Sequence, residues 1–405
     1  MDLVAAAQVQ DAAAQLEGVV QATPVERSRA LSEAVGAEVL LKCENLQRTG
    51  SFKLRGAYHR ISRLTDEERA RGVVCASAGN HAQGVALAAA LQGVAATVFM
   101  PRAAPLPKVE ATAGYGADVR LMGESFEEAL SAALDAADDD GEVFVHPFDH
   151  PDVIAGQGTL GLEMLAQVPA LAAGGTVVVP VGGGGLCSGI AVALKDASPD
   201  VRVVGVQAAG AACFVASLAA GEPRELDGCE TIADGIAVRR PGDLTFAHIQ
   251  ALVDDVVTVD DETISRAIVL LLERAKLVVE PAGAVAVAAL LAGAALLRPP
   301  VVALLSGGNI DPLLLQHIVT SGLTAEGRFV TIRTRVADRP GELHRLLGLL
   351  AEERANVVAV EHHRFGRRLG LDEVEVVLEL ETRGPQQMER LGGKLQASGY
   401  PFERI

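Results

Sequence analysis

The chain has 405 residues, 49% of them apolar and 21% charged, with a formal net charge of −17. That length exceeds one ordinary core and predicts two or three folded domains, and the composition excludes a disordered chain. The acidic balance argues against a nucleic-acid partner, which needs a basic face, although backbone N–H groups can still hold an anion locally.

The N-terminus has no basic segment followed by an apolar run, so no secretory signal is expected. Cys43, Cys75, Cys187, Cys213 and Cys229 are scattered and form no C-x-x-C pair, which predicts a reducing, cytoplasmic setting. Short apolar runs then alternate with helical stretches. The runs lie at residues 73–76, 96–99, 119–121, 143–145, 176–181, 203–207 and 301–305, and a helix is expected at 80–91. Such an α/β alternation predicts parallel sheets covered on both faces. Ligands of such sheets bind beyond the carboxyl ends of the strands. Asp138, Asp139 and Asp140 read as a solvated helix end, since a metal there would need ligands from elsewhere. The apolar stretch 282–297 is short for a membrane span and predicts a buried helix, so no membrane partner is expected.

Composition shifts at 322–328, which places a domain boundary near residue 325. Residues 329–336 alternate like a strand, and Asp338-Arg339-Pro340-Gly341 is a turn. Residues 342–353 put Leu343, Leu346, Leu347 and Leu350 on one helix face. Strands at 357–361 and 373–380, a helix at 386–398 and a closing strand within 400–405 complete a βαββαβ order, the ferredoxin-like arrangement. Glu361, His362 and His363 read as an exposed strand end, because no further ligand spacing supports a metal site. No metal is expected elsewhere.

Four segments carry chemistry. In Thr49-Gly50-Ser51-Phe52-Lys53-Leu54-Arg55-Gly56-Ala57, Lys53 lies among small and apolar residues. Desolvation there lowers an amine's pKa and suits a Schiff-base lysine, whereas a lysine at a helix start is more often a surface residue. Gly182, Gly183, Gly184 and Gly185, followed by Leu186, join a strand to a helix. Bare backbone at a helix start can wrap a phosphate; the alternative is a flexible turn. Ser306, in Ser306-Gly307-Gly308-Asn309, offers a hydroxyl for a ring nitrogen or serves as a cap. In Ser77-Ala78-Gly79-Asn80-His81 the backbone can bind a carboxylate, or Asn80 caps the helix.

Together with Ala155-Gly156-Gln157-Gly158-Thr159, His146-Pro147-Phe148 and Glu280-Pro281-Ala282-Gly283, these segments resemble the threonine dehydratases (threonine ammonia-lyases) of the fold-type II pyridoxal-phosphate family. The tail after residue 328 resembles a single ACT regulatory domain. The resemblance implies a tryptophan synthase β-like catalytic part, 1–325, with a smaller subdomain inserted at about 51–155, and an ACT domain, 326–405. It implies that Lys53 carries pyridoxal 5'-phosphate and, once freed, removes the α-proton of a β-hydroxy amino acid. Phe52 joins the cofactor site. Asn80 would bond the phenolic oxygen. Gly182, Gly183, Gly184, Gly185 and the Leu186 amide would hold the phosphate, and Ser306 would face the pyridine nitrogen. Ser77, Ala78, Gly79, Asn80 and His81 would grip the substrate carboxylate. Glu280 would lie near the ring, with no role assigned. Serine racemases place a serine acid/base where this chain has Ala78, so dehydration of threonine, and more weakly serine, is expected over racemisation. A homo-oligomer, dimer or tetramer, is implied. So is an isoleucine or valine effector bound around Asp338, Pro340, Gly341, Glu342, Leu343 and Asn356.

Overall fold

The computed structural model describes residues 2–364, 369–370 and 372–405. The chain separates into two compact units, one ending at Ile310 and the other starting at Asp311. Helix Pro312–Ala325 therefore groups with the second unit. The composition shift had drawn the boundary after it.

The first unit holds two sheets. In the larger, the strands lie in the order Val25–Arg27, Val39–Cys43, Val301–Leu305, Gly175–Pro180, Val201–Ala208 and Asp255–Val259. All neighbours are parallel except the first pair, which is antiparallel. Val25–Arg27, Val39–Cys43 and Asp255–Val259 had escaped the sequence reading. The core around this sheet is made by residues such as Val177, Val179, Ile190, Val203, Phe214, Val302 and Leu304, all inaccessible to solvent. Each such side chain contributes roughly 1.5–3 kcal/mol of apolar burial.

The smaller sheet is wholly parallel: Asp118–Leu121, Ala96–Met100, Val73–Ala76, Val143–Phe144. Leu54 and Ile61, from helix Lys53–Ser62, pack with Val73, Cys75, Val98 and Met100 in its core. The chain leaves the large sheet after Cys43, builds the small sheet, and returns through helix Pro151–Gln167 to the strand Gly175–Pro180. Helix Pro281–Leu291 is buried from Pro281 to Leu290, and it ends six residues before the apolar stretch does. Among the described residues no helix is long and apolar enough to cross a membrane. Asp138, Asp139 and Asp140 are exposed at the end of helix Phe126–Asp140. All five cysteines are free.

The second unit contains an antiparallel sheet in the order Asn356–His363, Glu373–Glu381, Phe329–Ala337, Phe402–Arg404. With helices Glu342–Glu352 and Pro385–Ala397 it forms the βαββαβ arrangement. Ile332, Leu346, Leu350, Val376, Leu378, Leu391 and Leu395 form its core. The exposed Glu361, His362 and His363 close the edge strand.

Candidate active site

A cavity of about 910 Å³ opens where the carboxyl ends of the two sheets of the first unit meet. The segments singled out from the first unit's sequence supply its lining, except Ala155-Gly156-Gln157-Gly158-Thr159, which is buried within helix Pro151–Gln167. Ser77, Ala78, Gly79, Asn80 and His81 follow Val73–Ala76. His146, Pro147 and Phe148 follow Val143–Phe144. Gly182, Gly183, Gly184, Gly185 and Leu186 follow Gly175–Pro180. Ser306 follows Val301–Leu305, and Phe52 and Lys53 open the helix Lys53–Ser62. Parallel strands bring these ends together because all run the same way.

The Lys53 ammonium donates to the Pro147 carbonyl at 2.9 Å and lies 5.2 Å from the Phe52 ring centre. Burial lowers its pKa to about 8 against the opposing charge of Glu280. Glu280 is 6% exposed. Burial, and then the charge of Asp234, push its pKa up to about 7, against an Asn80 hydrogen bond and the charges of Lys108 and Lys53. His146 Nδ1 accepts from the N–H groups of Phe148, at 3.2 Å, and Asp149, at 2.7 Å. Its proton therefore sits on Nε2, and burial drives its pKa down to about 4. His81 turns its Nε2 to the Val145 carbonyl at 2.8 Å, so its side chain serves the strand end.

Gly184 precedes the helix Gly185–Ala197 with φ +95°, a conformation open to glycine. A Cβ on Gly183 would overlap the Phe148 ring. The loop is thus bare backbone pressed against an aromatic wall, with the unpaired N–H groups of a 13-residue helix at its end. That is a cradle for an anion. Ser306 is 3% exposed and caps no helix; its carbonyl accepts from the Phe52 N–H at 3.1 Å. Asn80 is not the helix cap either. Gly79 holds that position, and the Asn80 side chain bonds Glu280 and Asn309 instead. The Ser77 hydroxyl takes the Gly79 N–H at 3.1 Å, which leaves the first-turn N–H groups of helix Asn80–Gln92 facing the loop.

Behind Lys53 lies a group of buried charges that the sequence reading missed. Arg55 forks onto Glu44 at 2.8 and 2.9 Å and reaches Glu163 at 2.8 Å. Lys42 also pairs with Glu163. A lysine inside the otherwise apolar run 39–43, followed at once by Glu44, was the available signal.

The family profile for pyridoxal-phosphate dependent enzymes matches residues 16–307. The chain belongs to that family. The ACT domain profile matches residues 330–391. An L-threonine ammonia-lyase of Thermotoga maritima is 50% identical over 392 residues, covering 97% of each chain. Among solved structures, maize serine racemase is 36% identical with a TM-score of 0.73, covering 80% of this chain and all of that one. Threonine deaminase isoform 2 of Solanum lycopersicum is 39% identical with a TM-score of 0.73, covering 77% of this chain and 86% of that one.

The residues present fit the family's cofactor: a desolvated amine for its aldehyde, a glycine cradle for its phosphate and a neutral hydroxyl at a strand end share one cavity. Gly183→Ala is expected to weaken pyridoxal-phosphate affinity at least about tenfold through the displaced Phe148 wall. Fluorescence titration of cofactor-free protein measures this, and an unchanged affinity would remove the loop from cofactor binding.

Ala78 lines the cavity with no titratable group. At the end of strand Val201–Ala208, the buried Gln207 amide donates to the Ala211 carbonyl at 3.2 Å, and its oxygen accepts from the Phe214 N–H at 2.9 Å. Among the described residues no group of three or more His, Cys, Asp or Glu is arranged to hold a metal.

In the second unit, Asp338, Pro340 and Gly341 lie between strand Phe329–Ala337 and helix Glu342–Glu352, which Glu342 and Leu343 open, with Asp338 paired to Arg364 at 3.3 Å. Asn356 aligns with Glu381, which aligns with Phe329 at the other end of the sheet. One chain therefore holds these two segments roughly 27 Å apart, at about 3.4 Å per strand residue.

Proposed function

We propose that the chain is a threonine ammonia-lyase that converts L-threonine, and L-serine more weakly, to a 2-oxo acid and ammonia. The observation that carries this is the Lys53 amine, desolvated in the same cavity as the glycine cradle, in a chain half identical to an L-threonine ammonia-lyase along nearly its whole length. Pyridoxal phosphate, when bound, supplies an electron sink that makes the α-proton of an amino acid removable. Lys53 would hold it, with Gly182, Gly183, Gly184, Gly185 and Leu186 around the phosphate, Asn80 at the phenolic oxygen and Ser306 at the ring nitrogen.

Lys53 is also the base: when its amine is free it takes the α-proton. The first-turn N–H groups at Asn80 and His81 orient the substrate carboxylate. Loss of the β-hydroxyl then yields an enamine that water converts to 2-oxobutanoate and ammonia. Ala78 supplies no second proton, which favours elimination over racemisation. A pocket separates threonine from serine, one methyl apart, by only about 1–3 kcal/mol, so serine is a secondary substrate.

The ACT domain is the regulatory part, and isoleucine, opposed by valine, is the proposed effector. Asp338–Leu343 and Asn356 touch one amino acid only if they come from two copies of the chain. That supports a homo-oligomer, dimer or tetramer. On this proposal the enzyme acts in the cytoplasm, in isoleucine biosynthesis.

Assaying 2-oxo acid release from threonine, serine and 3-hydroxyaspartate, with and without isoleucine, tests both parts. Threonine is expected to give the highest kcat/KM, and isoleucine to lower activity at subsaturating threonine. Preference for 3-hydroxyaspartate would overturn the substrate assignment, and indifference to every branched-chain amino acid would overturn the regulatory one.

A further inference from the structure

Four segments far apart in sequence meet beside the cavity through side-chain amides. The Asn309 nitrogen donates to the Thr49 carbonyl at 2.8 Å and to the Asn80 side-chain oxygen at 2.8 Å. The Asn80 nitrogen donates to Glu280 Oε1 at 2.7 Å. An asparagine amide viewed alone can face either way, but here one main-chain atom decides. The Thr49 carbonyl only accepts, so Asn309 must present its nitrogen to it. The same nitrogen faces Asn80, which must therefore present its oxygen. The Asn80 nitrogen is left toward Glu280, with one N–H still unused.

The backbone is shaped for this chain of bonds. A Cβ on Gly307 would run into Glu280 Oε1 and stand 3.1 Å from the Asn80 nitrogen, so bare glycine lets the pair close. Glu280 is tied to the same segment, since its N–H donates to the Gly307 carbonyl at 3.1 Å. Strand end, lysine loop, helix start and the Glu280 turn are thus joined around one amide.

We infer that Asn309 and Glu280 are positioning residues that lock the Asn80 amide with its nitrogen toward Glu280 and one N–H kept for the ligand in the cavity. This rests on the cofactor site proposed above. A donor fixed in this way needs no reorganisation when an oxyanion arrives. With the amide turned over, two nitrogens would oppose each other at Asn309 and two oxygens at Glu280.

The test uses the full chain loaded with pyridoxal phosphate. The readouts are the cofactor dissociation constant and the pH midpoint of the visible absorbance band, for the parent, Asn80→Ala, Asn309→Asp and the double variant. Asn309→Asp sets an oxygen where Thr49 and Asn80 both need a donor. It is expected to raise the dissociation constant about tenfold and to move the pH midpoint in the same direction as Asn80→Ala. The double variant is expected to match Asn80→Ala alone, because the two residues act through one bond. Asn309→Ala removes the donor without adding a like group, and the same shift is expected if the Asp variant fails to fold. Glu280→Gln, which keeps an acceptor oxygen, is expected to recover most of the loss seen with Glu280→Leu.

Additive effects in the double variant, or Asn309 variants within twofold of the parent while Asn80→Ala shifts, overturn the positioning roles and leave the cofactor site standing. A parent chain that binds no pyridoxal phosphate strikes the cofactor site itself, and this inference with it.

Discussion

Lys53→Ala is expected to lower 2-oxobutanoate formation from threonine by at least about a thousandfold, since it removes both the covalent anchor and the general base. The environment of Lys53 explains why no other described group replaces it. With a pKa of about 8 rather than the usual 10.5, its neutral fraction at pH 7 rises about 300-fold. His146 and His81 line the same cavity. The first has both N–H donors of the following turn on Nδ1, and the second is bound to a main-chain carbonyl. Borohydride reduction followed by peptide mass analysis should place the cofactor on the Lys53 peptide of the parent and on none in the variant. Retention of more than a tenth of the activity in Lys53→Ala would refute the assignment.

The second large effect is on stability. Glu44→Gln is expected to destabilise the catalytic part by about 3–5 kcal/mol, because it leaves Arg55 buried without its main counter-charge. Burial alone would raise the Glu44 pKa, but the Arg55 guanidinium, hydrogen bonds from Arg55 and Thr23, and Lys42 hold it below the ordinary carboxylate range. A depressed folded-state pKa contributes stability above the unfolded value, near pH 4.3, and loses it as the pH falls through the folded value. The gap between parent and variant in urea midpoint should therefore be widest at neutral pH and narrow below about pH 4. A gap that stays constant with pH would mean that packing, not the ion pair, sets the loss. Arg55 sits two residues beyond Lys53, so the same variant is expected to loosen the seat of the reactive amine.

The strands that the sequence displayed were continuous apolar runs such as 73–76, preceded by Gly72, and 301–305, preceded by Pro300, which match the observed strands residue for residue. The two central ACT strands were legible because they alternate in burial along their length, as Phe329–Ala337 and Glu373–Glu381 do. Val25–Arg27 is three residues long and mostly exposed, and Asp255–Val259 is only partly buried, so neither carried a clear period. The site showed itself as separate motifs, each after a strand. Their contacts did not, because Asn80 and Asn309 lie 229 positions apart and side-chain pairing leaves no local pattern. The buried Lys42, Glu44 and Arg55 went unseen for a different reason: charged residues are read as surface unless a partner is in view.

The placement of Val301–Leu305 bears on how the polypeptide is made. It lies between Val39–Cys43 and Gly175–Pro180 and pairs with both. During translation the two flanking ribbons must wait, unbridged, until some three hundred residues have left the ribosome. The small sheet, closed between Val73 and Phe144, has every strand in hand long before. The nascent chain is thus set to assemble the inserted half of its cleft first and to seal the other half with its last parallel strand, and only then can Ser306 and Asn309 take their places.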